Sequence, residues 1–482
     1  MVVIINKKKM LTILPLLILL LISFRFTKDT PTISENNQEM LNSYDINIEF
    51  DEKDKTLKIN QKVTYINNTD KAIDTIYFHI YPNAFSKEKY APFEKNEFKY
   101  AYPNGFDKGY IDIKKVLGES YDIRYKIMGK KEDILKVELG YNLNPKEKTT
   151  IIFDYKVKLP NSLGRFGYGE NTINITNFYP IACVNDDNGW NIRSYEVIGD
   201  PFYSDVSNYK VSIKVPSKYK IAATGVIKDK SVKDDFTHYT IQAPKVRSFA
   251  IILSDKFNIL KRKIGNTKVY SYFFEDMGKE SIDIASDAIS IFNDIFGTYP
   301  YETYSVVAAD FFIGGMEYPN LVMIDKNLYK ESEKFFLEYV IAHETAHQWW
   351  YSVVGNNEIT EPWLDEALTE YSTILYFEKK YSKEKKEELM KEMKLRTFGK
   401  NTKNIFKSTL EFNNSLEYSM YVYSKGAILL DNLRKQVGDE IFFKALREYY
   451  EENKYKNVTS EDFFRIWEKY GVTRKEIINS NI

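Results

Sequence analysis

The chain has 482 residues, room for about three domains, and carries 68 Lys and Arg against 68 Asp and Glu, for a formal net charge of zero. That balance gives no electrostatic case for nucleic acid as a partner. Cys183 is the only cysteine, which excludes an intrachain disulfide and leaves stability to the core and any bound metal.

Residues 1–26 stand apart from the rest. Lys7, Lys8 and Lys9 precede an apolar run from Met10 to Phe24, with the charge and length of a signal-sequence core. As a helix this run spans about 22 Å, short of the roughly 30 Å hydrocarbon core of a bilayer. No small-x-small cleavage site follows, only SFRFTKDT. Retention by an uncleaved anchor is therefore expected over release, with the amino terminus inside and the bulk of the chain extracytoplasmic. Residues 27–43 read as a linker.

From about 44 to 260 the pattern alternates with period two. YDINIEF, LKINQKVTYINN and IDTIYFHIYP place apolar and polar residues on opposite faces, with DEKDK and NNTDKA as turns. After the strand-like TKVYSYFF, the segment KESIDIASDAISIFNDIFG predicts a helix with Ile282, Ala285, Ile289 and Phe292 on one face and Gly297 as its stop. Helical patterns then dominate to the end, so the chain is expected to be α+β and multidomain. A charge run around 384–393 reads as a solvated helix face.

Two of only four histidines, His343 and His347, fall in VIAHETAHQWW. Side chains four apart on a helix differ in direction by only about 40°, so both imidazoles can share a metal ion. Glu344 lies about 100° round from His343, poorly placed as a ligand but well placed to reach a water beside the metal. The helix is predicted from the spacing of Phe335, Phe336, Tyr339, Val340, Ala342 and His343, with Gly355 as its stop. A hydrolytic zinc site needs a third protein ligand and an open position. After the turn signal GNN, Pro362 opens a second predicted helix running to about Tyr381, and Glu366 lies one turn inside it.

HETAHQWW followed by WLDEALTEY resembles the aminopeptidase N-like gluzincins, the membrane alanyl aminopeptidase family of zinc metallopeptidases. The resemblance implies one Zn2+ ion held by His343, His347 and Glu366, the last standing nineteen residues after the second histidine. Glu370, one turn further on, reads as a solvated helix carboxylate, with a role toward a ligand left open. Upstream, FFIGGMEYPN is similar to the family's exopeptidase motif, a strand along the cleft: Gly314, Gly315 and Met316 would approach the peptide, and Glu317 would grip its free α-amine. A lone Gly-Gly-Met-Glu would be weak evidence, but the glutamate of this one lies 26 residues before the first metal histidine, as in the family. The family has asparagine after that glutamate, where this chain has Tyr318. Downstream, MYVYSKGAILL resembles the segment whose tyrosine hydrogen-bonds the oxyanion, a role that falls to Tyr423, with Tyr418 as a further match.

Glu344 and Tyr423 are thus the implied catalytic residues, as base and oxyanion donor. The implied fold is an N-terminal β-sandwich, or saddle, over 44–260, then a thermolysin-like α/β catalytic domain over 261–482. The saddle would supply a second amine-binding residue, loosely Glu170 or Asn171. The large helical carboxy-terminal domain of many relatives has no counterpart here, which implies a more open cleft without an evident cationic clamp for a substrate's carboxyl end. The implied activity is zinc-dependent removal of N-terminal residues from peptides with a free amino terminus, with the membrane as a partner through the N-terminal segment. A zinc endopeptidase, a dual-function hydrolase using the same metal, and a noncatalytic scaffold remain as alternatives.

Overall fold

A computed structural model describes residues 40–119, 121–399 and 404–479. The signal or anchor reading of 1–26, and all but the end of the linker, lie outside these residues. Among the described residues no helix is long and apolar enough to cross a membrane.

The period-two alternation becomes sheet. In the strand Asn42–Asp51, Tyr44, Ile46, Ile48 and Phe50 are buried while the residues between them face outward. This strand pairs parallel with Ser207–Pro216 and antiparallel with Thr56–Ile66, at the centre of a seven-stranded sheet. A four-stranded sheet that includes Ile73–His79 and Ile134–Leu143 packs against it, Phe78 meeting Phe153 edge to face at 5.1 Å. A second four-stranded sheet holds Ile173–Thr176 and Ala250–Ser254. The expected strand-rich first part is thus observed, as is the helical second part.

The next strand, Asn258–Ile264, belongs to a different, five-stranded sheet. There Thr267–Phe273, Thr303–Ala309 and Leu321–Asp325 run parallel, and the two-residue strand Gly315–Met316 lies antiparallel at the edge. The helix Gly278–Phe296 buries Ile282, Ala285, Ile289 and Phe292 and stops at Gly297, as its periodicity predicts.

The histidine helix departs from expectation. It spans Lys334–Ala346 and ends well short of Gly355, because the chain turns immediately: Gln348 donates its N–H to the Thr345 carbonyl, and Ser352 donates to that of His347. Phe335 and Phe336, predicted on the apolar face, are 38% and 55% exposed; the buried face begins at Leu337. The second helix runs Trp363–Lys380 with Pro362 as its cap residue.

Arg247 bolts the turn after the histidine helix to the rest of the molecule. Fully buried, it donates to the carbonyls of Tyr351 at 2.7 Å, Ser204 at 2.9 Å and Lys456 at 2.6 Å, and to the Asn457 side chain. Gly355 packs so closely that an added Cβ would lie 2.1 Å from the guanidinium carbon. Removing this cation leaves the buried carbonyls of Tyr351 and Ser204 without this donor and takes one of two donors from the Lys456 carbonyl. Arg247→Leu is therefore expected to cost about 3–5 kcal/mol, read as a lower urea midpoint; an unchanged midpoint would show the bolt to be dispensable.

Candidate active site

Two helices build the site. On the histidine helix, His343 and Glu344 are buried one turn before its end, and His347 forms the C-cap. On the facing helix Trp363–Lys380, residues 365, 369 and 373 share one stripe by four-residue spacing, with 366 and 370 beside it. That stripe holds the outer nitrogens of both imidazoles. His347 Nδ1 lies 2.7 Å from Asp365 and 3.1 Å from Thr369 Oγ1; His343 Nδ1 lies 3.1 Å from Glu370 and 3.4 Å from Thr373 Oγ1. With Nδ1 engaged, each ring turns Nε2 inward, and both Nε2 atoms lie 3.4 Å from Glu366 Oε2.

This triangle fits a metal. Ligands about 2.0–2.1 Å from a tetrahedral zinc stand about 3.3–3.4 Å apart, and Glu366 Oε2 is buried with no hydrogen-bond partner. The three ligand atoms all lie within 4.8 Å of one another. Two neutral imidazoles and one carboxylate, each imidazole braced from behind by a carboxylate, are a donor set suited to zinc. The expectation of a solvated Glu370 is corrected here. It is 4% exposed, touches His343 and accepts a 2.5 Å hydrogen bond from the Tyr339 hydroxyl, because the stripe facing the histidine helix is interior.

Burial works against positive charge on His343, yet Glu366 and Glu370 outweigh it and push the ring up to about 10. The same histidines hold Glu366 well below the usual carboxylate range in spite of its burial. Such a cluster is arranged to receive a cation.

Glu317 and Glu344 form a second group around His347, one oxygen of each lying within 4.8 Å of the other and of a His347 ring nitrogen. Glu317 Oε1 and Glu344 Oε2 are buried without hydrogen-bond partners. Burial, with Asp200 adding to it, raises Glu317 well above the usual carboxylate range. Burial also raises Glu344, to about 7, with the two histidines pulling it down and Glu366 and Asp200 pushing it up. Gly315 has a steric reason to be glycine: a Cβ there would lie 2.1 Å from Glu344 Oε1. Met316 is buried on the same edge strand. Tyr318 turns away from the cleft, fully buried, and donates to Thr176 Oγ1 at 2.8 Å. Gln348 links the two motifs, accepting from the Asn320 N–H at 2.7 Å and donating to the Tyr318 carbonyl at 3.3 Å.

Tyr423 sits in a π-helical turn, Met420–Lys425, and its ring stacks on His343 at 5.7 Å and 9°. The turn can come this close because Gly426 meets Ala367, where an added Cβ would lie 2.3 Å from the alanine Cβ. Tyr418 packs edge-on against Tyr423 at 5.7 Å.

The three ligands, Glu317, Glu344, Glu370 and Tyr423, with Gly314 and Gly315, line a cavity of about 260 Å³, which shares Tyr423 with another of about 280 Å³ that Tyr418 lines. A larger hollow, about 1100 Å³, lies elsewhere, on the outward face of the seven-stranded sheet, and holds none of these groups. Neither Glu170 nor Asn171 lines the cleft. Asn171 is engaged with Asp310, its side-chain amide 2.9 Å from Oδ1, and with Lys256. The strand-rich part instead supplies Arg165 and Asp200, a largely buried ion pair that borders both cavities. Sequence reasoning missed this pair, since the two stand far apart in the chain and no motif connects them. Asp365 carried more signal, standing directly before Glu366. A cation also lines the metal cavity, Arg396.

The profile described as the Peptidase family M1 domain matches residues 280–480. Aminopeptidase M1-B of Oryza sativa subsp. japonica is 26% identical over 287 residues, covering 55% of this chain and 32% of that protein. Aminopeptidase N of Lactococcus lactis subsp. lactis is 29% identical over 201 residues, covering 38% and 24%. The matched stretches thus span a third or less of these curated relatives. An M1 zinc metallopeptidase from Deinococcus radiodurans superposes with a TM-score of 0.66 over 92% of both chains at 15% identity, and a mutant of it has been solved bound to a Tyr-Ser-Ala substrate. That likeness establishes the fold.

Proposed function

From the premise that residues 280–480 belong to peptidase family M1, we propose that the chain is a zinc aminopeptidase removing N-terminal residues from peptides. The observation that carries the reading is a metal triangle next to a buried, unpartnered glutamate just past the end of an edge strand: His343, His347 and Glu366 on one side, Glu317 on the other. In this reading 44–260 frames the cleft and 261–482 performs the chemistry.

A zinc ion bound by the three ligands would polarise the attacking water and the scissile carbonyl. Glu344 takes the proton from that water as it attacks and returns it to the leaving amine. Tyr423 donates its hydroxyl to the oxyanion developing on the carbonyl, where one such donor typically contributes a hundredfold or more in turnover. Glu317 holds the substrate's ammonium by a charge-assisted bond, which fixes the first residue and disfavours chains with a blocked amino end. The edge strand Gly315–Met316, paired on one side only, offers its free backbone to an extended peptide. Localisation follows from the basic and apolar run of residues 7–24, which we read as an export signal or anchor placing the enzyme outside the cytoplasm.

The test is hydrolysis of aminoacyl reporter amides with free and with blocked amino termini, with and without a chelator. Cleavage of free-amine substrates alone, lost with chelator and restored by zinc, is the expected result. Cleavage of blocked substrates would favour an endopeptidase, and absence of both metal and cleavage a scaffold.

A further inference from the structure

Charged groups line the metal cavity along the histidine helix. Glu317 sits at the His347 end, sharing a 4.8 Å cluster with His347 and Glu344. Tyr339 and Val340 line the same cavity two turns earlier on that helix, and Arg396 lines it with them. The Tyr339 hydroxyl bonds Glu370 at 2.5 Å and lies within electrostatic reach of Arg396. The Glu317 end of the cavity therefore carries a buried carboxylate, and the Tyr339 end a guanidinium beside Glu370.

Arg396 comes from the last turn of the helix Lys383–Thr397. Its sequence reads as a solvated face, yet Leu389, Met390 and Met393 are buried, so the helix packs down and brings its final turn to the cleft. The second guanidinium bordering the cavity, Arg165, is ion-paired with Asp200. Arg396, by contrast, is exposed and makes no ion pair or hydrogen bond among the described residues. A planar fork of donors with no protein acceptor is a receptor for a carboxylate.

Resting on the aminopeptidase reading, we propose that Arg396 binds the free α-carboxylate of short peptide substrates, so that the cleft recognises both ends of a zwitterionic peptide. The length follows from the helix. Eight residues separate Tyr339 from His347, about 12 Å of helix axis, which an extended chain covers in about three or four residues at roughly 3.3–3.6 Å each. Arg396 is then a determinant of substrate length, acting through binding of the carboxyl end and not through the bond being cleaved.

The experiment compares zinc-loaded wild type with Arg396→Gln and Arg396→Lys on three substrates: trialanine as free acid, trialanine amide, and Ala-Glu-Ala amide. Wild type is expected to favour the free acid over its amide by about tenfold or more in kcat/KM, mainly through KM, since a hydrogen bond to a charged group contributes about 1.5–3 kcal/mol. The preference should shrink with added salt, approach one in Arg396→Gln and survive in part in Arg396→Lys. A wild-type ratio near one, or a ratio unchanged in Arg396→Gln, would overturn the proposal. So would equal use of Ala-Glu-Ala amide and the free acid, which would assign Arg396 to an acidic side chain. The aminopeptidase reading fails separately, through absence of cleavage of any free-amine substrate. A parallel calorimetric titration of the acid and the amide into Glu344→Gln, with and without Arg396→Gln, reads the same preference without turnover.

Discussion

Glu344→Gln is expected to leave the metal bound and to lower kcat by about two to four orders of magnitude, the usual contribution of a positioned general base. The geometry explains both halves of the result. His343, His347 and Glu366 form the metal triangle, and Glu344 Oε2 stands buried beside it with no hydrogen-bond partner. A glutamine amide at this position has nearly the same shape as the carboxylate and keeps the packing against Gly315, but it cannot take a proton. The pH profile carries a second signature. Burial lifts Glu344 to about 7 in the metal-free site, and a bound dication must pull it lower. Activity should therefore fall as pH drops through a value below about 7, where the base becomes protonated, and residual activity of the variant should lack that limb. Metal content by elemental analysis beside kcat checks the prediction; strong turnover by the metal-loaded variant would remove Glu344 from the role of base.

Glu317→Ala is expected to lower kcat/KM for free-amine substrates by about two to three orders of magnitude, the scale for truncating one partner of a buried charged pair. Glu317 shares a buried cluster with Glu344 and His347, and burial together with Asp200 drives its carboxyl toward the neutral form. An incoming ammonium reverses that balance, restoring the carboxylate charge and relieving its repulsion with Asp200 and Glu344. The alanine variant loses this and should cleave blocked and free substrates with similar, low efficiency. The free-to-blocked ratio, measured on one peptide sequence, decides the matter. A ratio that survives Glu317→Ala would place amine recognition elsewhere, with the Arg165–Asp200 pair as the first place to look.

Much of the site is legible because it is local. Four-residue spacing brings His343 and His347 onto one helix face whatever the rest of the chain does, and Pro362 followed by an apolar periodicity is sufficient to put Glu366 inside a helix. The alternation of Tyr44, Ile46, Ile48 and Phe50 likewise announces a half-buried strand. Local rules mislead where burial depends on a distant partner. Glu370 is a surface glutamate by composition, but its helix face is covered by His343 and Tyr339. Phe335 and Phe336 fit the apolar period, yet the buried face starts only at Leu337. Gly355 reads as a helix stop, while the helix has already ended at Ala346, and the glycine instead makes room for Arg247.

By itself, then, the sequence determined the four-residue spacing of His343 and His347, the place of Glu366 inside a second helix and the succession of strands by helices, because backbone periodicity is a property of neighbouring residues; the roles given to Glu317 and Tyr423 came from the resemblance and stand as proposals. Only the tertiary structure decided that Asp365 and Glu370 brace the two imidazoles, that Arg247 locks the turn behind them, that Tyr318 leaves the cleft, and that Arg165, Asp200 and Arg396 line it. Arg247 and Tyr351 are 104 residues apart, and Tyr318 and Thr176 are 142 apart. Pairings of that kind arise when the folded chain returns on itself, and a buried charge is tolerated only where that return delivers its partner.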